Sequence, residues 1–345
     1  DGLYGSIIVA PKGEDPIVAD RDYVVVLSDF SEEHSSSIMA NLKMSSDYYA
    51  TSRLTLGDFI KDWNNRGFDK AWKDAEEWGD MRMMRTDLAD VTGYAFLTNG
   101  KTPEQNWTGL FTPGEKVRLR FINASAMSFF DVRIPGLKMK VVQADGQDVE
   151  PVEVDEFRFS PAETYDVIVT PTEDKAYTIA AEPIDRTGFA LGTLATAEGM
   201  KSEMPSPRPR ALLTMGDMNM EEMMKDDPDM DMSDMDLKSG WAKTGMPVGH
   251  KALSYADLRY AGVQKDQRSP KHTIEIRLGG NMERYIWTMN GKKFPDAAPM
   301  RLNYGDRVRL KFINETMMAH PMHLHGMFVQ LENGQPAGKL PNKHT

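Results

Sequence analysis

The sequence predicts an all-β chain of two tandem β-sandwich domains, with a helical insertion in the first and a methionine-rich insertion before the second. Three observations predict this. First, Tyr94 to Ser125 aligns without gaps on Tyr285 to Thr316 at a constant offset of 191, with eleven of the 32 positions identical. Self-similarity at a fixed offset marks a repeated structural unit. Second, the runs Gly114 to Asn123 and Gly305 to Asn314 both alternate Val, Leu and Ile with Arg or Lys after a glycine turn. That is the pattern of a half-buried strand. Third, between about 36 and 90 the alternation gives way to apolar residues spaced by three or four, as in Asp58 to Trp63 and Asp69 to Trp78. This spacing predicts helices inserted into the β-domain.

Taken in order, Tyr23 to Leu27 reads as the first strand of the first copy, and Trp72 and Trp78 of the inserted helices as packing residues. The first copy then continues beyond the repeat through Phe157-Arg158-Phe159, Tyr165 to Val169 and Tyr177 to Ala181. The second copy ends at Thr345, before equivalents of those strands. The expectation is an incomplete C-terminal domain with an unpaired edge and an open core. Pro205-Ser206-Pro207-Arg208-Pro209 reads as a stiff linker between the copies.

With 345 residues the chain can bury substantial cores. A formal net charge of −11 argues against a nucleic-acid partner and favours small cations. The aliphatic runs are far shorter than the ~20 residues that span a bilayer, so an integral membrane protein is not expected. The chain starts at Asp1 without a Met or a secretory signal, which allows a processed or truncated N-terminus. Cysteine is absent, so there is neither a disulfide nor a thiolate ligand.

Methionine is the compositional anomaly, at 25 copies. Met215, Met218, Met220, Met223, Met224, Met230, Met232 and Met235 fall in one short acidic stretch with eight Asp or Glu. The stretch reads either as an acidic linker with incidental methionines or as a binding segment for cuprous ion, because thioether sulfur selects soft cuprous copper.

His320-Pro321-Met322-His323-Leu324-His325-Gly326 places three of the seven histidines within six positions. On a strand of period two, His323 and His325 share a face, and His320, beyond Pro321, is aimed elsewhere. One segment can thus serve two neighbouring metal sites, imidazole being the commonest protein metal ligand. At the repeat offset these histidines fall opposite Phe129, Val132 and Ile134, so the ligand chemistry belongs to one copy. His34, His250, His272 and His344 have no clustered partner in the sequence and read as ordinary histidines.

The His320–Gly326 segment resembles the third copper-binding motif of multicopper oxidases. Asp1 to Gly5 followed by Ile7-Ile8-Val9 is similar to the segment after their second motif. Ser46 to Tyr49, Met81 to Met83, Thr86 to Asp90, Asn106 to Gly109, Asp131 to Gly136 and the Met-rich stretch resemble the bacterial copper-resistance protein A branch. The resemblance covers essentially the whole chain. It implies cupredoxin-like Greek-key sandwiches: residues 1–18 as the tail of a first domain, 19–204 as a second, copper-free domain, and 205–345 as linker, Met-rich insertion and truncated third domain. It further implies that His320 ligates a mononuclear blue copper and that His323 and His325 serve a trinuclear copper cluster, with no catalytic residues beyond these ligands.

The activity implied is oxidation of cuprous to cupric ion with reduction of dioxygen to water, in the periplasm. The alternatives are a laccase-like phenol oxidase and a copper-sequestering protein without turnover. The chain begins after the family's two N-terminal histidine motifs and lacks its His-Cys-His strand. Blue-copper sites need a thiolate, so these residues alone are expected to be inactive, as a fragment of an oxidase.

Overall fold

The computed structural model describes residues 3–50, 53–80, 84–217, 245–281 and 284–345. The first copy contains β1 (Arg21–Phe30), α1 (Ser35–Met44), α2 (Leu56–Arg66), α3 (Phe68–Asp80), β2 (Ala95–Thr98), β3 (Trp107–Leu110), β4 (Val117–Asn123), β5 (Phe130–Arg133), β6 (Met139–Ala144), β7 (Gln147–Val154), β8 (Glu156–Phe159), β9 (Thr164–Val169), β10 (Tyr177–Pro183) and β11 (Ala190–Ala195). The second contains β12 (His272–Asn281), β13 (Ile286–Met289), β14 (Val308–Asn314), β15 (Val329–Gln330) and β16 (Asn342–Lys343). The all-β expectation holds, and the three helices fall where the strand alternation lapses.

In the first copy a six-stranded sheet, β2-β1-β4-β9-β6-β7, faces a five-stranded sheet, β3-β11-β10-β5-β8. Their inward side chains, among them Leu27, Phe121, Phe130, Phe157, Tyr165 and Leu194, form one core. Each such buried side chain contributes roughly 1.5–3 kcal/mol. The sheets are mixed: β1 pairs parallel with β4, and β3 parallel with β11. The segment that follows the Met-rich stretch also lies on this sandwich. Leu258 is fully buried in the first copy's core, with Leu253 packed against it.

The second copy repeats the start of this arrangement. β12 pairs antiparallel with β13 and parallel with β14, in a three-stranded sheet. Even the register is shared: Leu27 faces Thr98 and Asn123, and Leu278 faces Met289 and Asn314. Further along the second copy, β15 and β16 pair antiparallel as a short hairpin.

The helices of the insertion are locally well specified. Thr55 and Asp58 form a capping box at the start of α2, which satisfies amide groups that the first helical turn leaves open. Trp78 is buried with Leu88, Ala211, Leu213 and Met317, joining insertion, linker and second copy. Trp72 packs within the helical pair, stacking on Phe68 at a centroid distance of 5.9 Å, and is left 56 % exposed.

Candidate metal centre

The histidine segment begins where β14 ends. Asn314 closes the turn, donating from Nδ2 to the Met318 carbonyl at 2.7 Å and accepting from the Thr316 amide at 2.9 Å. Asn123 does the same at the end of β4, donating to the Ser128 carbonyl and accepting from the Ser125 amide. Buried Met317 then pins the chain against Trp78 and Leu213. From there the copies diverge. In the first, Phe130–Arg133 becomes β5, paired on both sides by β8 and β10. In the second, residues 319–328 form no strand, which corrects the strand reading of His320 to His325. A strand is held by its neighbours' hydrogen bonds, and among the described residues the second copy has no counterparts of β8 and β10 at this point.

The grouping expected from strand periodicity nevertheless appears. The rings of His323 and His325 lie edge to face with centroids 4.8 Å apart, and both residues are exposed. His320 is set apart from them. Half-buried, it lies 4.9 Å from the Trp287 ring, and its Nε2 is 2.7 Å from Thr316 Oγ1. Burial holds its imidazole below the ordinary histidine value, a shift towards the neutral form that binds metal.

His320 also borders a cavity of about 220 Å³ where the two copies meet. Met127 and Phe129 of the first copy and Met318 and His320 of the second, paired by the 191-residue offset, line it together with Asp90, Tyr285 and Trp287. Tyr285 donates to Asp90 Oδ2 at 2.9 Å across this seam.

His344, read from sequence as an ordinary histidine without a clustered partner, lies beside His323. Its ring lies 5.0 Å from that of His323, and their Nδ1 atoms are 3.2 Å apart. The hairpin β15–β16 brings it there, anchored by its neighbour Lys343. Lys343 is 1 % exposed and pairs with Glu163 at 2.6 Å and Asp145 at 3.1 Å. Its ammonium lies over the rings of Tyr165 and Tyr255. The amides of His344 and Thr345 both donate to Asp145 Oδ2. No sequence spacing announces this proximity, because the partner that fixes it stands almost 200 residues away in a turn of the first copy.

Val132 and Ile134 are buried core residues and Phe129 is half-buried, in keeping with one copy carrying imidazoles and the other apolar side chains. Of the eight insert methionines, Met218, Met220, Met223, Met224, Met230, Met232 and Met235 lie outside the described residues. Met215 opens a single 3-10 turn, Met215–Asp217.

The donor chemistry fits copper, since imidazole nitrogens suit it and the rings stand open to a metal. The donor number does not suffice for a complete set. There is no cysteine, and among the described residues no three His, Asp or Glu side chains are grouped to hold one ion. Nor, among those residues, is any helix long and apolar enough to cross a membrane.

Comparison with known proteins agrees with this copper-suited, two-copy β architecture. Two family profiles, both described as multicopper oxidase, match residues 54–199 and 267–345. The chain belongs to the multicopper oxidase family. Within it the chain falls in the copper resistance protein A branch: it is 44 % identical to copper resistance protein A of Escherichia coli, over all of this chain and 68 % of that protein. It is 43 % identical to a homologue from Pseudomonas syringae pv. tomato, over 67 % of that protein. The chain thus spans about two thirds of the length of these relatives.

Among solved structures, a laccase point mutant from B. aclada superposes with a TM-score of 0.54 at 14 % identity, over 96 % of this chain and 58 % of that one. A laccase-like multicopper oxidase from Ochrobactrum sp. gives 0.50 at 15 %, over 94 % and 56 %. These likenesses support the fold. The family uses copper as its cofactor.

Proposed function

We propose that this chain contributes to a copper-resistance oxidase that converts cuprous to cupric ion and reduces dioxygen to water, working in the periplasm. The observation that carries the reading is the division of one short segment between two environments. His320 sits half-buried against Trp287 beside the seam cavity, whereas His323 and His325 stand together in the open. On this reading His320 holds the copper that receives electrons, and His323 and His325 hold copper of the oxygen-reducing cluster. Copper, when bound, supplies the one-electron oxidation of substrate and the four-electron reduction of dioxygen.

The chain's own residues hold and orient. Thr316 fixes the His320 ring through Nε2, leaving Nδ1 as the nitrogen without a hydrogen-bond partner among the described residues. Trp287 covers one side of the ring. With no thiolate among these 345 residues, the chain's contribution to the blue-copper site is imidazole alone. Cuprous ion as substrate is supported by the eight methionines from Met215 to Met235 and by the net charge of −11. The names of the relatives, copper resistance protein A, point the same way.

The test is made in the protein with its full reading frame. Replacing the eight methionines by Leu is expected to slow cuprous oxidation, followed as oxygen uptake, while phenol oxidation stays near the parent rate. An unchanged cuprous rate would remove the insert from the function. His320→Ala is expected to abolish both activities, and retention of either would refute its assignment.

A further inference from the structure

We propose that His344 is a further nitrogen donor to the copper held at His323, a role that rests on the reading of His323 as a ligand. The two Nδ1 atoms lie 3.2 Å apart, and Thr345 Oγ1 is 3.0 Å from each of them. Three donor atoms therefore form a nearly equilateral triangle. Two nitrogens bound to one ion at ordinary metal–imidazole distances, with angles between square and tetrahedral, lie roughly 2.9–3.4 Å apart. The observed separation falls in that range.

The alternative is an imidazole–imidazole hydrogen bond, which needs a proton on one Nδ1 and leaves the other as acceptor. A cation between them satisfies both lone pairs at once, and the Thr345 hydroxyl presents an oxygen from the same side. Asp145 Oδ2 lies 3.9 Å from His344 Nδ1, with its charge shared with the Lys343 ammonium.

The placement of His344 is built into the fold. Its backbone is tied to Asp145, and the preceding Lys343 is sealed between Asp145, Glu163, Tyr165 and Tyr255. A buried ammonium paired with two carboxylates fixes geometry at a high desolvation cost, and what it fixes here is a two-residue strand bearing an imidazole. The corresponding hairpin of the first copy, β6–β7, carries no histidine. The imidazole on this hairpin thus follows the same one-copy rule as His320, His323 and His325.

The test is titration of the full chain with cupric ion alone, reading affinity by calorimetry and the number of bound nitrogens by electron paramagnetic resonance. His344→Ala is expected to weaken binding about 10-fold or more and to remove one nitrogen from the spectrum. His344→Gln, which keeps a hydrogen-bond partner for His323 and a folded hairpin, is expected to behave alike. If His344→Gln binds copper as the parent does, with the same nitrogen count, the contact is only a hydrogen bond and the proposal is overturned. His323→Ala separates the two claims. Loss of copper there with an unaffected His344→Ala refutes the role of His344 alone, whereas undiminished binding by His323→Ala refutes the underlying reading as well.

Discussion

Strands β4 and β14 read Val-Arg-Leu-Arg-Phe-Ile-Asn and Val-Arg-Leu-Lys-Phe-Ile-Asn, differing only at Arg120 and Lys311, yet they occupy opposite environments. Phe121 is fully buried; Phe312 is 43 % exposed. Arg118 is buried between Asp15 and Asp166, each at 2.7 Å, whereas its counterpart Arg309 pairs with Glu332 in the open. The cause lies outside the strands. β4 has hydrogen-bonded neighbours on both sides and a second sheet across the core, whereas among the described residues β14 pairs with β12 alone. A strand's alternation shows which face is apolar, and the surrounding strands decide whether that face is covered.

The largest expected effect tests this contrast directly. Phe121→Ala should cost about 3–5 kcal/mol by emptying a filled core position. Phe312→Ala should cost under about 1 kcal/mol, because little packing is lost there. Urea denaturation of the two variants measures the difference. Equal losses would mean that the second copy's apolar face is as well covered as the first's.

Next comes the anchor that ties the copies together. Lys343→Met removes the cation and leaves Asp145 and Glu163 buried without it, which should cost about 3 kcal/mol or more. It should also broaden the NMR signals of His323 and His344 as the hairpin loosens. A stable variant with unchanged imidazole signals would show that the second copy places its histidines unaided.

The smallest effect concerns the seam. Burial first, and then the nearby charges of Asp90 and Asp47, push the Asp87 carboxyl from 3.8 up to about 6. The folded chain therefore holds this proton over a range where the unfolded chain has released it. The resulting stability is fully present below pH ~4 and is lost as pH rises through ~6. Asp87→Asn, neutral throughout, should match the parent near pH 4 and exceed it at pH 8, by at most about 3 kcal/mol. Identical denaturation midpoints at pH 8 would show that the carboxyl is freely solvated.

Much of this arrangement is legible in the sequence. The Gly114–Asn123 and Gly305–Asn314 runs mark β4 and β14, and the loss of alternation after Ser36 marks the helices. The grouping of His323 with His325 and the isolation of His320 also follow from local spacing, although the segment that carries them is not a strand. The parallel pairing of β1 with β4 is not legible, because alternation records which face is apolar and not which strand lies alongside. His344 stays hidden for a similar reason. Its place depends on Lys343 finding Asp145 and Glu163, a meeting between distant turns that leaves no local period. Trp72 packs on Phe59 and Phe68, but its remaining exposure is not legible, because helical spacing marks an apolar stripe without showing whether anything lies over it.

The dependence of β16 on Asp145 has a consequence for how such a protein can change. Asp145 adopts a left-handed conformation, φ 48°, in the tight turn between β6 and β7. One residue therefore shapes a hairpin in the copy without the clustered imidazoles and receives the tail of the copy that has them. A drift in that turn would displace a side chain beside His323. Transplanted into another scaffold as a cassette, the histidine-bearing half would arrive without the foundation on which its last imidazole stands.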